Sequence, residues 1–130
     1  RGIGQGIAED FAKAGAKVIL AARRTAEIKG VEQRIREVGG TAIAITTDVT
    51  KSSDLDKLGS TAINEFGKLT DWINNAGGSP LRMPAKELPR EEWHKTIALN
   101  LTSIYEGCLA AERYMEKGSI IMDIKYKSSI

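Results

Sequence analysis

Short apolar runs alternate with amphipathic segments along the chain, and this alternation limits the folds that the sequence can adopt. The apolar runs have the length of buried strands and lie at residues 18–22, 41–45, 72–73 and 120–122. Strands that are apolar throughout are buried on both faces, and strands separated by helices pair in parallel. The sequence therefore predicts an α/β fold with a doubly wound parallel sheet in a single domain.

The spacing of the apolar residues predicts helices between these strands. The helix before the third strand is expected to be capped by Ser53 or Asp54. The longest apolar stripe comprises Trp93, Ile97, Leu101, Ile104, Cys108, Ala111 and Met115. It predicts one helix from about Glu91 to Lys117, ended by Gly118. Because its apolar arc is wider than one core contact needs, we expect this helix also to contact a second copy of the chain.

Charge and residue counts exclude several classes of function. The chain has 19 basic and 17 acidic residues and a net charge of +2, too small a surplus for a dedicated nucleic-acid binder. One histidine and one cysteine cannot form a zinc site, so no metal site is predicted. No serine-hydrolase elbow or P-loop motif occurs, and no apolar run approaches the ~20 residues of a membrane span. Without a visible secretory signal, we expect a cytoplasmic protein with no nucleic-acid or membrane partner.

Two glycines, Gly2 and Gly4, open the first predicted helix. Glycines at a helix N-terminus let the backbone approach a pyrophosphate, whose charge the free N–H groups and the helix dipole favour. The general dinucleotide fingerprint also has a glycine where this chain has Ile7. Taken alone, the two glycines therefore also fit a tight turn and close helix packing.

Arginines follow the first predicted strand, at the place where an adenosine ribose would lie. An acidic residue there would bind the ribose hydroxyls of NAD, but this chain has Ala22, Arg23 and Arg24. Two guanidinium groups without a carboxylate suit a 2′-phosphate. The alternative is a solvated pair at a helix start, where cations oppose the helix dipole. We therefore predict that these arginines bind an anionic ligand.

Polar and small residues follow the next two predicted strands, whose carboxyl ends form the ligand crevice in such sheets. Asp48 can accept a hydrogen bond from an adenine amino group or cap a helix, and its position favours neither role. The segment 74–78, Asn-Asn-Ala-Gly-Gly, allows close approach by a flat ligand. It also fits an ordinary junction between a strand and a loop.

In order and spacing, these motifs resemble those of the short-chain dehydrogenase/reductase family. The likeness extends from residue 1 to about residue 122 and rests on Gly2-Ile3-Gly4, Ala22-Arg23-Arg24, Asp48-Val49, Asn74-Asn75-Ala76-Gly77 and Leu99-Asn100-Leu101-Thr102-Ser103. The family consists of single-domain Rossmann-fold oxidoreductases that use NAD or NADP. The resemblance implies that residues 1–130 are part of an NAD(P)-binding Rossmann domain.

The resemblance also implies roles for individual residues. The glycine loop would hold the pyrophosphate, the Asp-Val pair the adenine, and the Asn-Ala-Gly segment the ribose and nicotinamide. Asn100 would be a structural asparagine that relays a proton. Members that prefer NADP have a basic residue at the position of Arg1 or Arg23, so the expected cofactor is NADP. The expected cofactor-binding residues are Arg1, Gly2, Ile3, Gly4, Arg23, Arg24, Asp48, Val49, Asn75, Ala76 and Gly77.

Near its C-terminal end the chain departs from the family pattern. Without gaps, Lys125 falls where the family has its catalytic serine. The segment 126–130 resembles the family's Tyr-x-Ser-Ser-Lys, with Ile130 in the lysine position, but it follows the last predicted strand too closely. Either a segment is missing between them and Tyr126 is the candidate catalytic tyrosine, or the likeness is due to chance. The family's first strand is also absent before Arg1. We therefore expect the sequence shown to be incomplete at both ends.

The resemblance implies an NADP(H)-dependent enzyme that transfers a hydride between nicotinamide and a small carbonyl or alcohol substrate. A tyrosine would supply the proton and a lysine would lower its pKa. The family also implies a homodimer or homotetramer. The alternative is a non-catalytic nucleotide-binding fragment or scaffold subunit, because the lysine is missing. An intact mass well above 14.1 kDa would favour the complete enzyme.

Overall fold

A computed structural model describes residues 2–78 and 83–124, which alternate between helices and strands. In chain order the elements are α1 (Ile3–Lys13), β1 (Lys17–Ala22), α2 (Thr25–Glu37), β2 (Thr41–Thr46), α3 (Ser52–Phe66), β3 (Asp71–Asn74), α4 (Arg90–Ile97), α5 (Ser103–Tyr114) and β4 (Ile120–Asp123). A 3-10 turn at Ala85–Glu87 precedes α4, and a π-helical segment at Ala98–Thr102 joins α4 to α5. The predicted α/β class is confirmed.

The strands form two parallel pairs in the described part of the chain. β1 pairs with β2, which places Leu20 opposite Ala44. β3 pairs with β4, which places Trp72 opposite Ile121. The parallel pairing that the apolar runs predict is therefore present in both pairs.

Helices cover both faces of the β1–β2 pair, because successive side chains of a strand point to opposite faces. On one face Leu20 and Ala42 belong to a hydrophobic cluster with residues of α1 and α2: Ala8, Ala12, Ile28, Val31 and Ile35. On the other face Ile19 and Ile45 pack against a second cluster, formed by Leu55, Leu58, Trp72, Ala110 and Ala111 of α3, β3 and α5. This is the doubly wound arrangement that the sequence predicts.

Burial of every strand on both faces was expected and is wrong for β4. All four of its residues are exposed, and Ile120 keeps 55% of its surface accessible. Of the described helices, α5 is the one that packs closely on β4. One covering helix leaves most of a four-residue strand in contact with solvent.

The long predicted helix differs from expectation in its pitch and in its end. Its axis continues from Arg90 to Tyr114, but Ala98–Thr102 winds as a π-helix. The helix ends before Met115 and not at Gly118, because Met115 adopts extended backbone and packs against the second cluster. Trp93 and Leu101 of the apolar stripe remain 52% and 63% exposed, so that part of the stripe lies outside the core.

Neither Ser53 nor Asp54 caps α3, which corrects the predicted cap. The helix begins at Ser52 and its N-cap residue, Lys51, makes no side-chain hydrogen bond. The carboxylate of Asp54 instead accepts a hydrogen bond from the backbone N–H of Asp48, with an N–O distance of 2.8 Å. Asp54 therefore holds the loop between β2 and α3.

Glu32 is a buried carboxylate on α2. Its side chain is 8% exposed and forms ion pairs of 2.8 Å with Lys29 and 2.9 Å with Arg36. The hydrogen bond from Lys29 and the nearby positive charges outweigh burial and hold the pKa of Glu32 below its ordinary value of 4.5. The native fold therefore favours the ionised carboxylate.

The variant Glu32→Gln is expected to lose stability less steeply in acid than the wild type. A carboxylate with a lowered pKa in the folded state contributes stability above its unfolded pKa and loses it as the pH falls through the folded pKa. The wild-type free energy of unfolding should thus fall below pH 4.5 more steeply than that of the variant, as measured by urea denaturation. Glu65→Gln, at an exposed site on α3, is the control for loss of one surface carboxylate. Parallel curves for Glu32→Gln and the wild type would contradict this prediction.

Candidate functional site

The N-terminus of α1 leaves backbone N–H groups available for a ligand. Gly2 has a φ of 64°, which a residue with a side chain rarely adopts. The first hydrogen bond of the helix runs from Gly6 N to Gly2 O, so the N–H groups of Ile3, Gly4 and Gln5 have no partner within the helix. No acidic residue lies in the first turn. Such a helix start favours an anion.

Gly4 lies where α1 meets the loop that follows β3. A Cβ atom at this position would overlap the side-chain amide of Asn75, so a larger residue would have to displace that amide. Further along the same loop, a Cβ on Gly77 would lie 3.0 Å from Oδ1 of Asn100. The structure therefore brings together three parts of the chain: the first turn of α1 with Gly2 and Gly4 (the glycine turn), the segment 75–77, and Asn100.

Asn100 lies in the π-helical segment, and both the Nδ2 and the Oδ1 atoms of its side chain form hydrogen bonds to the backbone. Its Nδ2 donates to the carbonyl oxygens of Gly78 and Thr96, both at 2.8 Å. Its Oδ1 accepts from the N–H of Gly78, also at 2.8 Å. A single side chain thus fixes the end of the 74–78 loop to the helix. Local π-helical turns of this kind are frequent at functional sites.

Asn74, which the sequence placed in the loop motif without a separate role, joins β3, β4 and α5. Its Oδ1 accepts from Nε1 of Trp72 at 2.8 Å, and its Nδ2 donates to Oδ1 of Asp123 at 2.9 Å. A Cβ at Gly107 of α5 would overlap Oδ1 of Asn74. The two neighbouring asparagines therefore differ: Asn74 ties secondary structure together, and Asn75 contacts the glycine turn.

A second group of residues lies at the carboxyl ends of β1 and β2. Oδ1 of Asp48 accepts hydrogen bonds from Oγ1 of Thr50 at 2.7 Å and from its backbone N–H at 3.1 Å. These bonds lower the pKa of Asp48, and the positive charge of Arg23 acts in the same direction. Asp48 is thus an oriented, ionised acceptor whose own N–H is held by Asp54.

The two arginines after β1 have different surroundings. Nη1 of Arg24 lies 2.6 Å from Oε1 of Glu27, and the hydrogen bond between them raises the pKa of Arg24. Arg23 is exposed and forms no salt bridge with a carboxylate in the described ranges. The expectation of two guanidinium groups without a carboxylate thus omits Glu27, although a spacing of three residues on a helix signals such a pair. Of the two arginines, Arg23 is therefore the better candidate to bind an anionic ligand.

The other residues expected in the site differ in their exposure to solvent. Ile3 is 51% exposed at the start of α1, and Ala76 is also exposed. Val49 is half-buried and packs against the second hydrophobic cluster. Arg1 and Tyr126, which the resemblance assigns to cofactor binding and catalysis, lie outside the described residues.

No three metal-binding side chains come together in residues 2–78 and 83–124. None of the helices in those ranges is both long enough and apolar enough to cross a membrane.

Parallel strands with helices on both faces, and a glycine turn beside the carboxyl ends of the strands, define a Rossmann-type α/β protein. The family model for short chain dehydrogenases matches residues 1–123. The chain belongs to the short-chain dehydrogenase family, and the resemblance seen in the sequence motifs is confirmed.

Curated oxidoreductases are similar in sequence to this chain over most of its length. An uncharacterized oxidoreductase of Listeria innocua is 38% identical over 109 residues, which is 84% of this chain and 44% of that protein. Glucose 1-dehydrogenase 2 of Bacillus subtilis is 31% identical over all of this chain and 51% of that protein. The chain thus spans about half the length of these relatives.

Solved structures show the same fold. A 7α-hydroxysteroid dehydrogenase in complex with NADH and 7-oxo glycochenodeoxycholic acid superposes with a TM-score of 0.88 at 32% identity, covering 95% of this chain and 49% of that one. A short-chain dehydrogenase/reductase from Serratia marcescens gives a TM-score of 0.87 at 29% identity, covering 95% and 50%. The described residues therefore correspond to about half of a short-chain dehydrogenase.

Proposed function

We propose that the whole protein is an NADP(H)-dependent oxidoreductase that transfers a hydride between nicotinamide and a small carbonyl or alcohol substrate. Residues 1–130 supply part of its nucleotide-binding domain. The observation that carries the proposal is the contact of Gly4 with Asn75, which sets the open N-terminus of α1 against the loop after β3. The family match supports an enzyme of the oxidoreductase class.

The chain offers a distinct group for each part of a dinucleotide. The N–H groups of Ile3 and Gly4 suit the pyrophosphate, and the exposed side chain of Ile3 provides apolar contact. The ionised Asp48 suits the adenine amino group. When bound, the cofactor supplies the hydride chemistry, and these residues position it.

We propose NADP in preference to NAD because of Arg23. Ala22 offers the ribose hydroxyls no carboxylate, and the exposed guanidinium of Arg23 follows it directly. Arg24 is already paired with Glu27. The solved hydroxysteroid dehydrogenase carries NADH, so Arg23 alone supports the preference for NADP.

The variant Arg23→Ala is expected to lower the affinity for NADPH by about ten-fold to a hundred-fold, since a charge-assisted hydrogen bond is worth roughly 1.5–3 kcal/mol. Its affinity for NADH should change little. The dissociation constants of both nucleotides are measured on the complete protein, with Arg24→Ala as the matched control that should lose less. Equal binding of NADPH and NADH by the wild type would contradict the assignment, as would an unchanged ratio in Arg23→Ala.

The activity itself is tested on the complete protein with NADPH, NADH and a panel of aldehydes and ketones. Oxidation of NADPH that depends on a carbonyl compound is the expected result. Failure to reduce any of the carbonyl compounds with either nucleotide would overturn the enzyme assignment.

A non-catalytic nucleotide-binding subunit is the second candidate, favoured by Lys125 and Ile130 at the family's serine and lysine positions. It would bind NADPH without reducing any carbonyl compound. An intact mass equal to 14.1 kDa would also favour it, since the catalytic segment would then be missing.

We also propose that the protein is a homodimer or homotetramer that uses the exposed apolar face of the long helix. Trp93, Leu101 and Tyr105 are 52%, 63% and 61% exposed. Light scattering of the complete protein should therefore give a multiple of the chain mass. Leu101→Lys should lower that multiple, and Val38→Lys, at a site 75% exposed on another surface, should not. A strictly monomeric wild type would refute this assembly.

A further inference from the structure

The outer edge of β2 is closed by two side chains of α2. Arg36 donates to the carbonyl oxygen of Ala42 from Nε at 3.2 Å and from Nη2 at 2.9 Å. Oε1 of Glu32 accepts from the backbone N–H of Ala44 at 3.3 Å. The same Oε1 lies 2.9 Å from Nη2 of Arg36, so the two side chains act as one unit.

The backbone groups that this unit occupies are those that a neighbouring strand would bind. The polar groups of residues two apart point to the same side of a strand. The backbone groups of the alternate residues point towards β1. Thr47 belongs to this second set, and its N–H donates to the carbonyl oxygen of Ala22. In the described part of the chain β2 pairs with β1 alone. Ala42 and Ala44 therefore present their carbonyl and N–H groups to the open side of the sheet.

The sequence of β2 contains nothing that discourages strand addition. Its six residues, Thr-Ala-Ile-Ala-Ile-Thr, carry no charge and include neither proline nor glycine. Uncharged segments with high β-propensity are prone to pair with other copies, and natural sheets usually protect such an edge with lysine, proline or a bulge. Here the protecting groups come from the adjacent helix.

We propose that the ion pair of Glu32 and Arg36 is a gatekeeper that prevents the edge of β2 from pairing with β2 of a second copy. The guanidinium and the carboxylate replace the donor and the acceptor of a neighbouring strand. Lys29 binds the other carboxylate oxygen, Oε2, and leaves Oε1 directed at Ala44. Two β2 edges are identical and each has a free carbonyl and N–H once the pair is removed, so a symmetric strand pair can form.

The test compares Glu32→Ala and Arg36→Ala with Arg34→Ala in the complete protein. Arg34 lies on the same helix, but its guanidinium pairs with Glu9 of α1. The Glu32 and Arg36 variants should form species larger than the wild-type assembly. The mean mass from light scattering should increase with the concentration of the variant. The Ala44 amide should exchange with solvent about tenfold faster in unassociated Glu32→Ala, because its hydrogen bond is lost. Arg34→Ala should behave as the wild type in both measurements.

A second variant separates edge pairing from misfolding. Thr41 is exposed at the start of β2 and lies opposite Lys17, so Thr41→Glu puts a charge on the strand without repelling its neighbour. Added to Glu32→Ala, it should restore the wild-type size. The proposal is overturned if Glu32→Ala keeps the wild-type size and Ala44 exchange rate. It is also overturned if the association is not reversed by Thr41→Glu, or if Arg34→Ala associates to the same extent.

Discussion

Replacing Asn100 with alanine should lower kcat of the carbonyl reduction proposed for the complete protein about a hundredfold, because positional errors of about 1 Å near a reacting centre have effects of this size. The side chain makes three hydrogen bonds, two of them to the backbone of Gly78. Their loss frees the loop that carries Gly77 from the helix. The freed backbone groups of Gly78 are exposed and can bind water, so the lost hydrogen bonds should reduce the free energy of unfolding by about 1–2 kcal/mol. Steady-state kinetics and urea denaturation measure the two effects.

The control for Asn100→Ala is the same change at Asn64, which is exposed on α3 and should alter neither quantity by much. The pH profile of kcat separates the two roles of Asn100. A residue that only positions the loop leaves the profile unshifted in the variant, whereas a residue that relays a proton moves it. Wild-type kcat and stability in Asn100→Ala would show that the hydrogen bonds to Gly78 are dispensable.

Replacing Gly59 with alanine should destabilise the fold by about 2–3 kcal/mol, since inserting atoms into a packed core has costs of this order. Gly59 is buried where α3 crosses α5, and a Cβ there would overlap the ring of Tyr114. The opposite result is expected for Gly30→Ala on α2, whose Cβ would meet only Nη1 of Arg34 at 3.7 Å. That change should stabilise the protein by about 0.5–1 kcal/mol, because glycine is a poor residue in a helix interior.

A double-mutant cycle tests the cause of the Gly59 effect. Tyr114→Leu in the Gly59→Ala background removes the ring that the new methyl group meets, so the two changes should be less damaging together than their sum. Urea denaturation of the four proteins gives the coupling. Strict additivity would place the strain elsewhere than at the contact between α3 and α5.

The class of the fold and most element positions could be predicted because the strands are short apolar runs bounded by glycine and polar residues. The π-helical turn could not. Side chains at steps of three and four residues fit an α-helix throughout. The turn contains Asn100, which bonds to the backbone of Gly78 in a loop distant in sequence. The spacing of apolar residues along one helix carries no signal of such a contact.

The site was predictable to the extent that its motifs are local. Gly4 and Asn75 could be singled out by residue type, but their contact needs the tertiary arrangement. Asp54 illustrates a real ambiguity, because an acidic residue near a helix start can cap the helix or hold the preceding loop. The hydrogen bond to Asp48 decides in favour of the loop.

The alternation of β1 between two hydrophobic clusters has a consequence for cooperativity. Leu20 belongs to the cluster of α1 and α2, and Ile19 packs against the cluster of α3 and α5. A fluctuation that detaches β1 therefore exposes apolar surface on both sides at once, and each side opposes it. Because β1 contributes to both clusters, their stabilities are coupled. A substitution that weakens the packing of one cluster therefore also makes the other cluster easier to unfold.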